Sequence, residues 1–451
     1  MASIDARLRT VKGDPSPLID PLTVERACRE AGHRWRERAL DPLSTLRVFA
    51  VQVAHGNAPI SHLVRLTSGR FCESAYCQAR ARLPVSVVRA VFEAFTARVR
   101  AQPASPSSLW QGHRAVLIDG TNVSTPDTPE LRRELGVRGD SPQGCGLPSV
   151  HVLAVFDPHA GLLLDLHGAP ARTHDLRHAA ELHPALETGD VLVGDRGLCS
   201  YVHLALLTRA GLHGVFRVPD SRATPFPAPP VRRRRSYNRH ERHEPRLVQL
   251  LGEDDQVVEI LKPSNRPRHV DPALFASLPG KMIVRLVRYR VQSPGVRTRR
   301  VTLMTDLVDA TAYPAAELAE LYRARWCIEV NFRHLKRTLG MDRLKCRSVD
   351  GVRRELLIYA LIYNAVCVTR SGAAAFHKVA PARVSFVDTL RWMLLSGHRA
   401  LAGPPDIKLW PLRPPRSHPR KLKRSHSTFL VMQQPRSRLI AALQPEEEAT
   451  N

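Results

Sequence analysis

The segment LYRARWCIEVNFRHLKRTL, residues 321–339, carries two interleaved stripes. Tyr322, Arg325, Glu329 and Lys336 stand at helical offsets that fall within a sector of roughly 60° when each residue turns about 100°. Beside them Leu321, Ile328, Phe332, Leu335 and Leu339 form an apolar stripe able to pack the helix on a core. The polar stripe therefore sets one carboxylate among two cations and a phenol. A carboxylate at a buried edge can hold a divalent ion, and the arginine, lysine and phenol can grip phosphate. A solvated outer face accounts for the same pattern, so the helix alone does not decide its own use.

Two further acids bear on that choice. Asp119 ends the apolar run Ala115, Val116, Leu117, Ile118 and is followed by Gly120 and Thr121. Asp195 follows Val191, Leu192, Val193, Gly194 and precedes Arg196 and Gly197. Each run reads as a buried strand with an acid at its end. Acids in that place also serve as turn residues or helix caps. Three acids on elements with apolar sides, in a strongly basic chain, instead suit a pair of metal ions that clamp the attacking and leaving oxygens of a phosphodiester. Asp157, Asp165 and Asp175 lie between the two chosen aspartates. Asp157, with Pro158 and Gly161, reads as a hairpin turn, and Asp175, after Thr173, as a helix start.

The pattern Tyr322-x2-Arg325-x3-Glu329-x6-Lys336 resembles the signature of bacterial insertion-sequence transposases of the DDE type, and the strand-borne Asp119 and Asp195 resemble that family's first and second acids. The resemblance spans roughly residues 113 to 370. It implies a ribonuclease-H-like core in which Asp119, Asp195 and Glu329 hold two Mg2+ ions, with Mn2+ as a substitute, while Tyr322, Arg325 and Lys336 position the DNA backbone. It further implies cut-and-paste transposition: cleavage at terminal inverted repeats, strand transfer into target DNA, a dimer on paired ends, and a place in the bacterial cytoplasm at the nucleoid. Between the second and third acids it implies a β-rich insertion that contacts end DNA. Relatives that form a DNA hairpin use an aromatic side chain there, whereas this insertion has no tryptophan and offers Tyr237, Phe275 and Tyr289 instead. Trp326 is read as a packing residue that fixes the helix. Two other readings stand beside this one: a ribonuclease-H-like nuclease that only hydrolyses, and a catalytically silent DNA-binding protein derived from a transposase.

Composition agrees with a polyanion partner. In 451 residues, 67 Lys and Arg stand against 42 Asp and Glu, a net charge of +25. No uncharged apolar run approaches the ~18 residues of a membrane span, and the N-terminus lacks a secretory hydrophobic region, so the reading is a soluble intracellular protein without a membrane partner. Eight cysteines without a C-x2-C pair argue against a zinc ribbon and a disulfide framework.

The fold class expected is α/β, a ribonuclease-H-like mixed sheet flanked by helices. Its divisions are an N-terminal helical DNA-binding domain (1–108), the first part of the core (109–221), a β-rich insertion (222–310), the second part of the core (311–372), and a C-terminal helix with a basic tail (373–451). In the N-terminal part, a helix from Ile60 and a second from about Glu73 to Leu83 resemble a helix-turn-helix, with Gln78, Arg80 and Arg82 suited to bases and phosphates. Arg232, Arg233, Arg234 and Arg235 form a candidate phosphate grip in the insertion, and a solvated loop is the plain alternative. From Lys408 to Arg438 nine Lys or Arg occur without an acid, interleaved with prolines, as in an extended tail.

Overall fold

The computed structural model describes residues 18–67, 71–101, 109–137, 145–222, 224–230, 234–237, 240–293, 296–395, 407–411, 434, 435, 437, 438 and 441. Five helices come first: α1 (Pro21–Glu30), α2 (Pro42–Ala54), α3 (Ile60–Leu66), α4 (Glu73–Arg82) and α5 (Val85–Arg100). Local chemistry fixes their starts. Asp20 and Asp41 accept the backbone N–H groups of Thr23 (2.9 Å) and Ser44 (2.6 Å), and a proline occupies the first helical position of both α1 and α2.

The core follows as β1 (Ala115–Ser124), α6 (Pro129–Leu135), β2 (Ser149–Phe156), β3 (Leu163–Pro170), β4 (Val191–Gly194), α7 (Tyr201–Arg209) and β5 (His213–Arg217). β1, β2 and β3 form an antiparallel meander; β4 and β5 then run parallel to β1 in the order β3-β2-β1-β4-β5. This is the ribonuclease-H arrangement. The first four residues of β1 and all of β4 are buried, as continuous Val/Leu/Ile runs in the middle of a covered sheet require.

The insertion strands do not build a body of their own. β6 (Arg234–Tyr237) and β7 (His240–His243) make a small ribbon, but β8 (Arg246–Gly252), β9 (Asp255–Leu261), β10 (Lys281–Ser293) and β11 (Val296–Thr305) continue the core sheet, with α8 (Pro272–Ser277) between β9 and β10. β11 pairs with β5 through Leu303 to Arg217, Met304 to Phe216 and Thr305 to Val215, giving nine strands among the described residues. The physical reason is the open edge of β5, whose amide and carbonyl groups need partners and find them in β11. The helix read as starting at Asp175 is instead two 3-10 stretches, Asp175–Arg177 and Ala179–Ala185, the second containing Pro184, which supplies no N–H and resists an α-helical continuation.

After the sheet come α9 (Ala315–Ala324), α10 (Cys327–Arg333), α11 (Val349–Phe376) and α12 (Phe386–Leu394). Among the described residues α11 is the one helix long and apolar enough to cross a membrane, and it is mostly buried, packed against α2, α5, α12 and β3. The N-terminal helices thus share one core with the catalytic sheet rather than closing on themselves. Polar ties reinforce the joint. Glu355 of α11 accepts from Asn57 Nδ2 (2.6 Å) and from the backbone of Lys345 (2.9 Å) and Cys346 (2.8 Å), and Arg354 donates to Leu83 O (2.7 Å). Glu355→Ala orphans two buried donors and a part-buried one at once, so the urea-unfolding free energy should fall by about 3 kcal/mol. A change under about 0.5 kcal/mol would show that this joint carries no stability.

Candidate active site

β1 and β4 run side by side with Ile118 opposite Gly194, so the next residue of each chain is an aspartate. Asp119 accepts the Gly120 N–H on Oδ1 (2.8 Å) and Arg325 Nη1 on Oδ2 (3.2 Å). Asp195 accepts the Gly197 N–H (2.7 Å), which folds the chain into a tight turn just past β4. The Asp119 carboxyl is pushed up to about 6, mainly by burial and further by the charges of Asp195 and Asp175. The Gly120 N–H and Arg325 pull the other way. A carboxyl that ionises reluctantly beside other acids is suited to a site that receives cations.

The third acid arrives on a helix that is not uniform. α9 ends at Ala324, three-residue hydrogen bonds carry the chain through Arg325 and Trp326, and α10 begins at Cys327. His334–Thr338 is then π-helical. The tightened and widened turns depart from an even 100° per residue, yet the polar groups still gather over β1. Arg325 reaches Asp119 and also lies 3.8 Å from Glu329 Oε1, while Tyr322 packs against the Arg325 guanidinium at 5.8 Å. Lys336 Nζ donates to Thr121 Oγ1 (3.1 Å) and Asn122 O (2.9 Å), beside Asp119 on the same strand. Leu321, Ile328, Phe332, Leu335 and Leu339 are buried beneath, and Phe332 meets Phe156 of β2 edge to face. Glu329, by contrast, is 44% exposed. Trp326 is 58% exposed, which corrects its reading as a packing residue: at about 100° per residue it lies some 140° round the helix from Leu321 and the apolar stripe.

Three residues near the site escaped the sequence reading, Asp175 in its role and His151 and Arg217 altogether. Asp175 is not a helix cap; that part is taken by His174, and Asp175 instead accepts from His151 Nε2 at 2.5 Å. The pair lies against Gly120, where an added Cβ would come within 2.7 Å of the His151 ring and closer still to the Asp175 carboxylate. Gly120 therefore serves close approach rather than an unusual backbone conformation. Arg217 of β5 acts on both Tyr322 and Tyr289, and burial pushes the Tyr289 hydroxyl up to about 12. Only the glycine directly after a strand-ending acid hinted at any of this.

On α4, Ser74, Gln78 and Arg82 are exposed and four residues apart, forming one outward stripe. Arg80 is two residues from Gln78, about 200° round the helix, and points inward. It donates to Gln52 Oε1 (3.0 Å) and packs over Phe49 and Tyr76. That corrects its expected place on a reading face. Arg232 and Arg233 lie outside the described residues. Arg234 and Arg235 belong to β6, opposite His243 and Arg242 of β7. The basic tail expected after Lys408 lies almost wholly outside them.

Residues 110–365, more than half of the chain, match the family described as Transposase DDE domain. The chain belongs to that family. It is 26% identical over 358 residues to the transposase InsG of insertion sequence element IS4 from Escherichia coli K12, covering 77% of this chain and 74% of InsG. A cryo-EM structure of the piggyBac transposase synaptic complex with hairpin DNA is similar at a TM-score of 0.44 and 11% identity, over 85% of this chain and 79% of that one. The protein is an insertion-sequence DNA transposase, a metal-dependent enzyme that cuts and transfers DNA. Membership favours neither the purely hydrolytic nor the silent reading.

The transposase holds Asp119 at a cost that pH exposes. Its folded value, about 6, lies above the ordinary 3.8, so its stability contribution is full below about 3.8 and is lost as pH rises through 6. Asp119→Asn should therefore raise the Tm of the metal-free transposase at pH 8, with the difference closing near pH 4. Equal Tm values at pH 8 would contradict the burial of a charged Asp119.

Proposed function

We propose that Asp119, Asp195 and Glu329 are the metal-holding acids of this transposase and that they take two Mg2+ ions, with Mn2+ as a substitute. The reaction is cut-and-paste movement of an insertion sequence: hydrolysis at each transposon end, then attack of the freed 3′-hydroxyl on a phosphodiester of the complementary strand or the target. The observation that carries the assignment is Arg325, which spans Asp119 and Glu329 and so ties the third acid to Asp119 on β1.

When bound, the ions supply Lewis-acid stabilisation of the attacking and leaving oxygens. The donor set fits them, since three carboxylates offer the hard oxygen ligands that Mg2+ prefers, and charge crowding at Asp119 favours an arriving cation. In this reading Arg325 has two roles. It bridges the acids and screens their repulsion before the cations arrive, and it then offers its guanidinium to the DNA backbone. Tyr322 stacks on Arg325 and limits its motion, and Lys336 braces the β1 end through Thr121 and Asn122 while its charge lies within reach of a phosphate.

End recognition falls to the outward stripe of α4, where Gln78 and Arg82 address terminal inverted repeats. Arg234 and Arg235 lie on the β6–β7 ribbon as candidate backbone contacts, together with Arg232 and Arg233. Pairing of two ends implies a dimer on DNA, and the working place is the bacterial cytoplasm at the nucleoid.

The test uses the full chain, duplexes carrying the element's ends, and Mg2+. Wild type should yield joined products, and Asp119→Ala, Asp195→Ala and Glu329→Ala should each lower cleavage on the order of a thousandfold while the gel shift persists. A variant that cuts near the wild-type rate would remove that residue from the site, and cleavage without joining would replace transposition by hydrolysis.

A further inference from the structure

We propose that His167, His178 and Glu181 form a second metal site, selective for a borderline ion such as Zn2+ over Mg2+, which fastens the 175–185 segment to the edge strand β3. His167 stands on β3, His178 between the two 3-10 stretches, and Glu181 one turn further on. Their ligand atoms all lie within 4.8 Å of one another, the one such convergence of three His, Cys or carboxylate groups among the described residues. Glu181 Oε2 lies 2.8 Å from His167 Nδ1 and Oε1 lies 2.7 Å from His178 Nδ1, so one carboxylate serves both rings. The rings stack with centroids 4.2 Å apart and 17° between planes.

Both Nδ1 atoms face Glu181 across hydrogen bonds, and an ion entering there would take the place of the two shared protons. Two nitrogens and one oxygen with an open side form the three-ligand set that zinc takes with water as a fourth partner. Magnesium favours all-oxygen surroundings, so this site and the acid triad select different ions. The consequence reaches the active site through the chain: Asp175, three residues before His178, is the acid that leans on Gly120.

This inference does not rest on the assignment of the catalytic acids, and its test needs no DNA. Chelator-treated full-length protein is titrated calorimetrically with ZnCl2 in excess Mg2+, alongside His178→Asn, Glu181→Gln and the turn variant His159→Ala. Wild type and His159→Ala should bind one more zinc than the two site variants and gain Tm on zinc addition. The site variants should match the wild-type Tm without zinc and gain none with it. Equal zinc stoichiometry in all four proteins overturns the site, as does a zinc-induced Tm gain that survives in Glu181→Gln.

Discussion

The last rung of the parallel pairing between β1 and β4 is the constraint on which the rest of the structure depends. Gly194 closes that rung, and a Cβ there would sit 2.9 Å from Leu198, 3.0 Å from Phe216 and 3.1 Å from Ile118. Any side chain would press on those three buried neighbours and disturb the packing around the residues that lead into Asp119 and Asp195. Burial of both strands makes their separation rigid, because close-packed neighbours leave no room to slide. The long helix α11 and the N-terminal helices complete that packing, which is why residues before 108 belong to the same apolar core.

Electrostatics explains the rest of the site. Asp119 and Asp195 both follow the last β1–β4 rung, and burial first, then the charges of Asp195 and Asp175, hold the Asp119 carboxyl near 6. Arg325 relieves part of the repulsion and reaches on to Glu329, so the ion-free site is held by a cation of the protein's own. Despite the irregular turns on either side of α10, Arg325 faces β1 and Lys336 still reaches Thr121.

Much of this was legible in the sequence because the relevant signals are local. Apolar runs ending in acids read as strands, and the polar stripe read as a helix face. What escaped needs partners far away in sequence. Arg80 turns inward because Gln52, Phe49 and Tyr76 offer it a better home than water. β11 joins β5 because an open edge requires it, which no composition of residues 222–310 announces. Asp175 looked like a helix start, and only the fold brings His151 across from β2 to claim it. The break at Arg325 leaves no mark in a helical periodicity.

The central claim is that the two aspartates that follow the last β1–β4 rung, together with Glu329, enclose one pair of ions. The most direct measurement is anomalous diffraction at the manganese edge from crystals of the transposase with an end duplex and Mn2+. The account expects two peaks about 4 Å apart, one or both touching Asp119, with Asp195 and Glu329 completing the ligands. Manganese bound elsewhere, with Glu329 left out of every coordination shell, would contradict it.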